Sequence, residues 1–81
     1  MLIADFVPPE LPDPKQRRQL RENKGLSRTQ LAAHVGVSES SIVAWEAGTR
    51  NPRGLQRVAY AEALRELAGS IEEAMREKYD E

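Results

Sequence analysis

The chain has 81 residues, 31% of them charged, no cysteine and a formal net charge of −1. One small domain with a modest core is the expectation, disulfides and thiolate metal sites are excluded, and a reducing compartment, the cytoplasm, is the expected location. No apolar run approaches the ~20 residues of a membrane span, and no basic segment followed by an apolar one opens the chain, so neither a membrane segment nor a secretory signal is expected.

The charges are segregated. From Lys15 to Arg57 there are nine basic residues (Lys15, Arg17, Arg18, Arg21, Lys24, Arg28, Arg50, Arg53 and Arg57) and three acids (Glu22, Glu39 and Glu46), a local charge of +6. Residues 1–14 carry −3 and residues 58–81 carry −4. A basic middle between acidic ends is the pattern of a surface that faces phosphates.

Residues 1–12 contain Pro8, Pro9 and Pro12 beside Ile3, Phe6, Val7 and Leu11. The prolines predict an extended arm rather than a helix. Its apolar residues can pack on the body, enter a DNA groove or meet a partner; packing on the body is favoured, because the next helix is short of apolar residues. That helix starts at Asp13, a good N-cap, with Pro14 at its first position and Gln16 at capping-box spacing, and Gly25 ends it. Only Leu20 within it is plainly apolar, so it is expected to offer little core and much basic surface.

Ser27–Glu46 predicts two short helices and a tight turn. Ser27 and Gln30 have capping-box spacing, with Leu26 and Leu31 as a hydrophobic staple. Leu31, Ala32 and Val35 fall at helical spacing, and Gly36 breaks the pattern. Ser38 caps the second helix between Val37 and Ile42, Trp45 continues its apolar face, and Gly48 stops it. Two capped helices meeting at a glycine form a helix-turn-helix pattern. Asn51 is the expected cap of a fourth helix with Pro52 at its first position. Leu55, Val58, Ala59, Ala63, Leu64 and Leu67 supply an amphipathic face to about residue 68. Gly69-Ser70 punctuates the chain, and Ser70 with Glu73 predicts a fifth helix to about Tyr79, whose Ile71, Met75 and Tyr79 either cover the core or form a dimer seam. The expected class is all-α, with an arm over 1–12, a helix-turn-helix domain over 13–68 and a C-terminal helix over 69–81.

Leu20-Arg21, Gly25-Leu26-Ser27, Gln30-Leu31-Ala32, Gly36-Val37-Ser38, Ile42, Trp45-Glu46, Gly48, Arg50 and Pro52 together resemble the lambda-repressor-like helix-turn-helix proteins, the group of phage Cro and repressor proteins and xenobiotic-response-element-type regulators. The resemblance covers about residues 14–66. It implies a compact domain of four or five helices whose third helix enters the DNA major groove, commonly as a dimer on a palindromic operator. It implies that Arg21 and Glu46 form a partly buried salt bridge between the first and third helices, and it supports Gln30 as a phosphate contact. Arg17 stands where the family usually has an apolar residue, so Phe6, Val7 or Leu11 is expected to fill the gap. The N-terminal arm and the acidic C-terminal helix lie outside the resemblance.

A recognition helix must expose its N-terminal half to base edges. With Ile42 and Trp45 facing the core, Glu39, Ser40, Val43 and Ala44 are the candidate base-edge residues. Glu39 either accepts a hydrogen bond from the cytosine amino group or stabilises the helix dipole. Val43 and Ala44 suit thymine methyls, and the small face leaves room for readout of DNA shape. Candidate phosphate contacts are Arg28, Thr29 and Gln30 at the amide end of the second helix, Ser38 at the start of the third, and Arg50 and Arg53 after it. Lys15, Arg17 and Arg18 are further candidates. Trp45 is expected to pack in the core, and His34 to be exposed.

A lone histidine without cysteines makes no metal site, and no phosphate-binding glycine loop or nucleophile motif is present, so neither an enzyme nor a cofactor is expected. The expected function is a sequence-specific double-stranded DNA-binding transcriptional regulator, a small Cro-like or immunity-type repressor that inserts helix 38–47 into the major groove as a homodimer on a palindromic operator, with no small-molecule ligand. The alternative is an antitoxin-like interaction protein that binds a protein partner through its C-terminal helix or N-terminal arm and uses DNA for autoregulation.

Overall fold

A computed structural model describes the backbone of residues 9–79 and the side chains of residues 9–69. Helix starts follow from the side chains that precede them. Asp13 Oδ1 accepts from the Gln16 amide at 2.8 Å and Gln16 Oε1 from the Asp13 amide at 3.2 Å, a complete capping box at the head of α1 (Pro14–Asn23). Ser27 and Gln30 repeat it at α2 (Arg28–Val35), with distances of 3.0 and 2.8 Å. Ser38 caps α3 (Glu39–Ala47), its hydroxyl accepting from the Ser41 amide at 3.3 Å. Each box satisfies amides that a helix start leaves without a partner.

Gly48 ends α3 at φ +78°, and a Cβ there would lie 3.1 Å from Pro14 Cγ. The first residue of α1 thus sits against the cap of α3, and glycine is needed both for the backbone turn and for the approach.

The last helix departs from expectation at both ends. α4 runs over Gly54–Tyr79 as one piece. Asn51, Pro52 and Arg53 remain outside it, so Asn51 is not its cap and Pro52 is not its first residue. Pro52 is buried instead, and the chain turns into the helix at Gly54, whose φ of +58° only glycine adopts freely. Gly69-Ser70 does not divide the helix, so there is no separate fifth one. A glycine within a helix costs only about 1 kcal/mol, and Gly69 lacks the positive φ that would stop it.

The core is built by Leu31 and Ala32 of α2, Ile42 and Trp45 of α3, and Tyr60, Ala63, Leu64 and Leu67 of α4. Trp45 and Tyr60 pack with ring centroids 4.8 Å apart and planes tilted by 44°. Leu20, Leu26, Val35 and Val37 are half-buried against this cluster. Leu55, expected on the apolar face of α4, is 86% exposed. Five residues at about 100° each place it well around the helix from Tyr60, so the face that meets the core is Tyr60, Ala63, Leu64 and Leu67.

Arg17 fills the gap expected for an apolar residue. It is buried, with Nε donating to the Pro12 carbonyl at 2.7 Å and Nη1 to the Trp45 carbonyl at 3.0 Å. Leu11 packs against the core cluster, whereas Phe6 and Val7 lie outside the described residues. Arg57 Nε donates to the Pro9 carbonyl at 2.7 Å. Two arginines therefore fasten the Pro9–Pro12 segment to the body through its carbonyls.

Candidate nucleic-acid interface

Burial divides α3 along its length. Ile42, Trp45 and Glu46 face inward, while Glu39, Ser40, Val43 and Ala47 are exposed and Ala44 is half-buried. Four of these five are expected from the sequence. Ala47 is not, although it lies four residues beyond Val43 and so on the same side. The face is small and shallow, with Glu39 as its only charge. At its start, Ser38 Oγ lies 3.1 Å from Ser40 Oγ and 3.0 Å from Ser41 Oγ, which leaves the cap hydroxyl tied into local contacts.

The start of α2 offers donors. Gln30 uses its side-chain oxygen in the capping box, which leaves its amide NH2 group without a hydrogen-bond partner among the described residues. Thr29 and Gln30 are both exposed. Arg28, the first residue of α2, donates from Nε to Glu46 Oε1 at 3.2 Å. It is not a freely extended surface cation. Beyond α3, Arg50 and Arg53 are exposed and line a polar hollow with Thr49, Asn51 and Gln56 beside Trp45. Neither has an ion-pair partner among the described residues.

Between α1 and α3 lies a buried ion pair. Arg21 Nε donates to Glu46 Oε2 at 2.6 Å, Arg21 Nη2 to Glu46 Oε1 at 3.0 Å, and Arg21 Nη1 to the Leu26 carbonyl at 2.8 Å. Side-chain exposure is 8% for Arg21 and 2% for Glu46. The hydrogen bond to Glu46 raises the Arg21 pKa above its ordinary value, with desolvation opposing it and the Glu46 and Glu22 charges adding to it.

These contacts revise the basic block. Arg17, Arg21 and Arg57 hold the fold together and point at protein carbonyls or a carboxylate, so Arg17 is withdrawn as a phosphate candidate. Arg18 pairs with Glu22 at 3.1 Å on the surface. Lys15, Lys24, Arg50 and Arg53 are the exposed cations of the block without an internal polar partner among the described residues. Sequence alone cannot separate these roles, because every inward arginine reaches a group that the fold brings to it. His34 is exposed, with Nε2 3.4 Å from Glu66.

No helix among the described residues is long and apolar enough to cross a membrane. A helix-turn-helix family model matches residues 18–68 and so covers α1 from Arg18 onward, all of α2 and α3, and the core-forming half of α4. No curated protein and no solved structure gives a significant match.

Proposed function

The chain belongs to the lambda-repressor-like helix-turn-helix family of DNA-binding regulators, and from that premise we propose that it is a small Cro-like or immunity-type repressor that reads double-stranded DNA with α3. The observation that carries this reading is the face of exposed Glu39, Ser40, Val43 and Ala47 and half-buried Ala44 on a short helix packed against capped α2. That face is narrow enough to enter a major groove, whose width of about 12 Å admits one helix.

Around it, Thr29, Gln30 and Arg28 at the start of α2 and Arg50 and Arg53 after α3 grip phosphates on the two flanks. Ser38 joins them through its backbone end, since its hydroxyl is engaged in capping. Glu39 accepts from a cytosine amino group, and Val43 and Ala44 meet thymine methyls. So few hydrogen-bonding side chains on the base-facing surface favour a large share of specificity from DNA shape. A second copy on a palindromic operator doubles the contacts of one short helix. The continuation of α4 to Tyr79, past Leu67, the last described core residue, supplies a helix for that contact.

The test is equilibrium binding to a duplex selected from random sequence and to a scrambled duplex, each at two salt concentrations. The expected preference for the selected duplex is about a thousandfold or more at physiological salt. Equal binding to both duplexes across that range contradicts the proposal.

A further inference from the structure

Glu46 does more than close the Arg21 ion pair. Its Oε1 accepts from two arginines, Arg21 Nη2 at 3.0 Å and Arg28 Nε at 3.2 Å, while Oε2 is taken by Arg21 Nε at 2.6 Å. One buried carboxylate on α3 is therefore shared by a buried arginine of α1 and the first residue of α2. The two arginines differ in exposure. The Arg21 side chain is 8% exposed and that of Arg28 is 39% exposed. Arg28 touches the carboxylate with Nε only, and its two terminal nitrogens have no partner among the described residues. Arg21 also has Glu22 at 4.0 Å, whereas Glu46 is the only carboxylate within ion-pair distance of Arg28 among the described residues, and Arg28 shares it with Arg21.

The backbone at this point is fixed as well. Arg21 Nη1 holds the Leu26 carbonyl at 2.8 Å, the Leu26 amide donates back to the Arg21 carbonyl at 3.1 Å, and Ser27 caps α2 directly before Arg28. An arginine anchored at both its backbone and its Nε keeps little freedom to lose. A planar guanidinium held by one edge presents its other N–H groups in a fixed fork, the shape that matches a phosphate.

We infer that Glu46 is a positioning residue for DNA: it holds the Arg28 guanidinium outward at the start of α2 as a prearranged phosphate clamp, and ties that clamp to the base-facing helix. This rests on the DNA-binding reading above. It explains why a carboxylate lies buried in the most basic part of the chain, and why phosphate grip and base readout keep a constant separation. The backbone contact and the recognition helix are joined through a single side chain rather than through a loop.

The experiment measures binding of a random-sequence duplex, about two helical turns long, as a function of salt. It compares the wild-type protein with Arg28→Ala, Arg28→Lys and Glu46→Gln, each checked for folding by circular dichroism. Arg28→Ala is expected to reduce the slope of log affinity against log salt by about 1. Arg28→Lys is expected to keep the slope, because the charge remains, but to bind about three- to tenfold more weakly, because an ammonium cannot hold Glu46 and offer the fork at the same time. Glu46→Gln removes a negative charge, which by charge alone strengthens DNA binding; a positioning role for Glu46 makes binding weaker instead. Full recovery of affinity by Arg28→Lys, or an unchanged slope in Arg28→Ala, overturns the inference and leaves the DNA-binding reading intact. A wild-type protein that does not bind the duplex overturns both. Binding by Glu46→Gln as tight as the wild type or tighter also overturns the inference. If that variant does not fold, Glu46→Asp, which keeps the charge but shortens the reach to Arg28, takes its place and is expected to bind more weakly than the wild type, with equal binding overturning the inference.

Discussion

Arg21 on α1 and Glu46 on α3 meet through two hydrogen bonds of 2.6 and 3.0 Å, both side chains almost wholly buried. A buried pair of this kind is costly to break from one side, because the remaining charge has neither water nor a partner. Glu46→Ala is expected to lower stability by about 3–5 kcal/mol, read from the midpoint of urea unfolding. The double replacement Arg21→Met with Glu46→Leu is expected to recover most of that loss. A double variant as unstable as the single one is the contrary result, and it assigns the cost to lost packing instead of to an unpaired charge.

The caps at Asp13, Ser27 and Ser38 are legible in the sequence because capping is local: donor and acceptor lie within three residues of each other. The exposed face of α3 is legible for the same reason, since period separates Ile42 and Trp45 from Ser40 and Val43, while Glu39, one turn before Ile42, is marked by its charge at the exposed start of the helix. The inward turn of Arg17 is not, because its acceptor at Trp45 lies 28 residues away and exists only once α3 packs on α1. Arg28 is a similar case, its partner Glu46 being 18 residues on. In α4, spacings of three and four fit two overlapping stripes. Only the packing of Tyr60 on Trp45 selects the one that is buried and leaves Leu55 outside.

Gly48 carries two constraints at once, a left-handed backbone and the close approach of Pro14. A side chain in that conformation costs about 1–2 kcal/mol before any clash is counted. Gly48→Ala is therefore expected to be destabilised by at least that amount. Gly25 is also at positive φ, but a Cβ there would meet nothing within 4 Å, so it separates the two effects. Gly25→Ala should lose only the backbone part. Equal losses at the two positions, measured by thermal unfolding, speak against a tight Pro14 contact.

Tyr60 is fully buried and its hydroxyl has no hydrogen-bond partner among the described residues. Burial, with the Glu46 charge adding to it and Arg17 and Arg21 opposing, pushes its pKa up from 10.0 to about 12. Between those values an unfolded chain has released the phenolic proton while the folded chain retains it, so stability falls as pH rises through that window. The contribution is fully present below the unfolded value and is lost by the folded one. Tyr60→Phe removes both the unpaired hydroxyl and the titration. At neutral pH it is expected to be as stable as the wild type or up to about 1 kcal/mol more stable. Its alkaline loss of stability should be smaller than that of the wild type. An equal alkaline loss in the two proteins contradicts the assignment to Tyr60.

Val43 is the residue at which DNA reading by the exposed face of α3 is best probed, because it is 44% exposed and faces away from the core. Val43→Glu places a better helix former there and is expected to change stability by no more than about 0.5 kcal/mol. The measurement is selection of bound duplexes from a random pool by the wild-type protein and by this variant. If α3 reads DNA, the wild type enriches one motif with two-fold symmetry and the folded variant does not enrich it. Enrichment of the same motif by both proteins would contradict that claim.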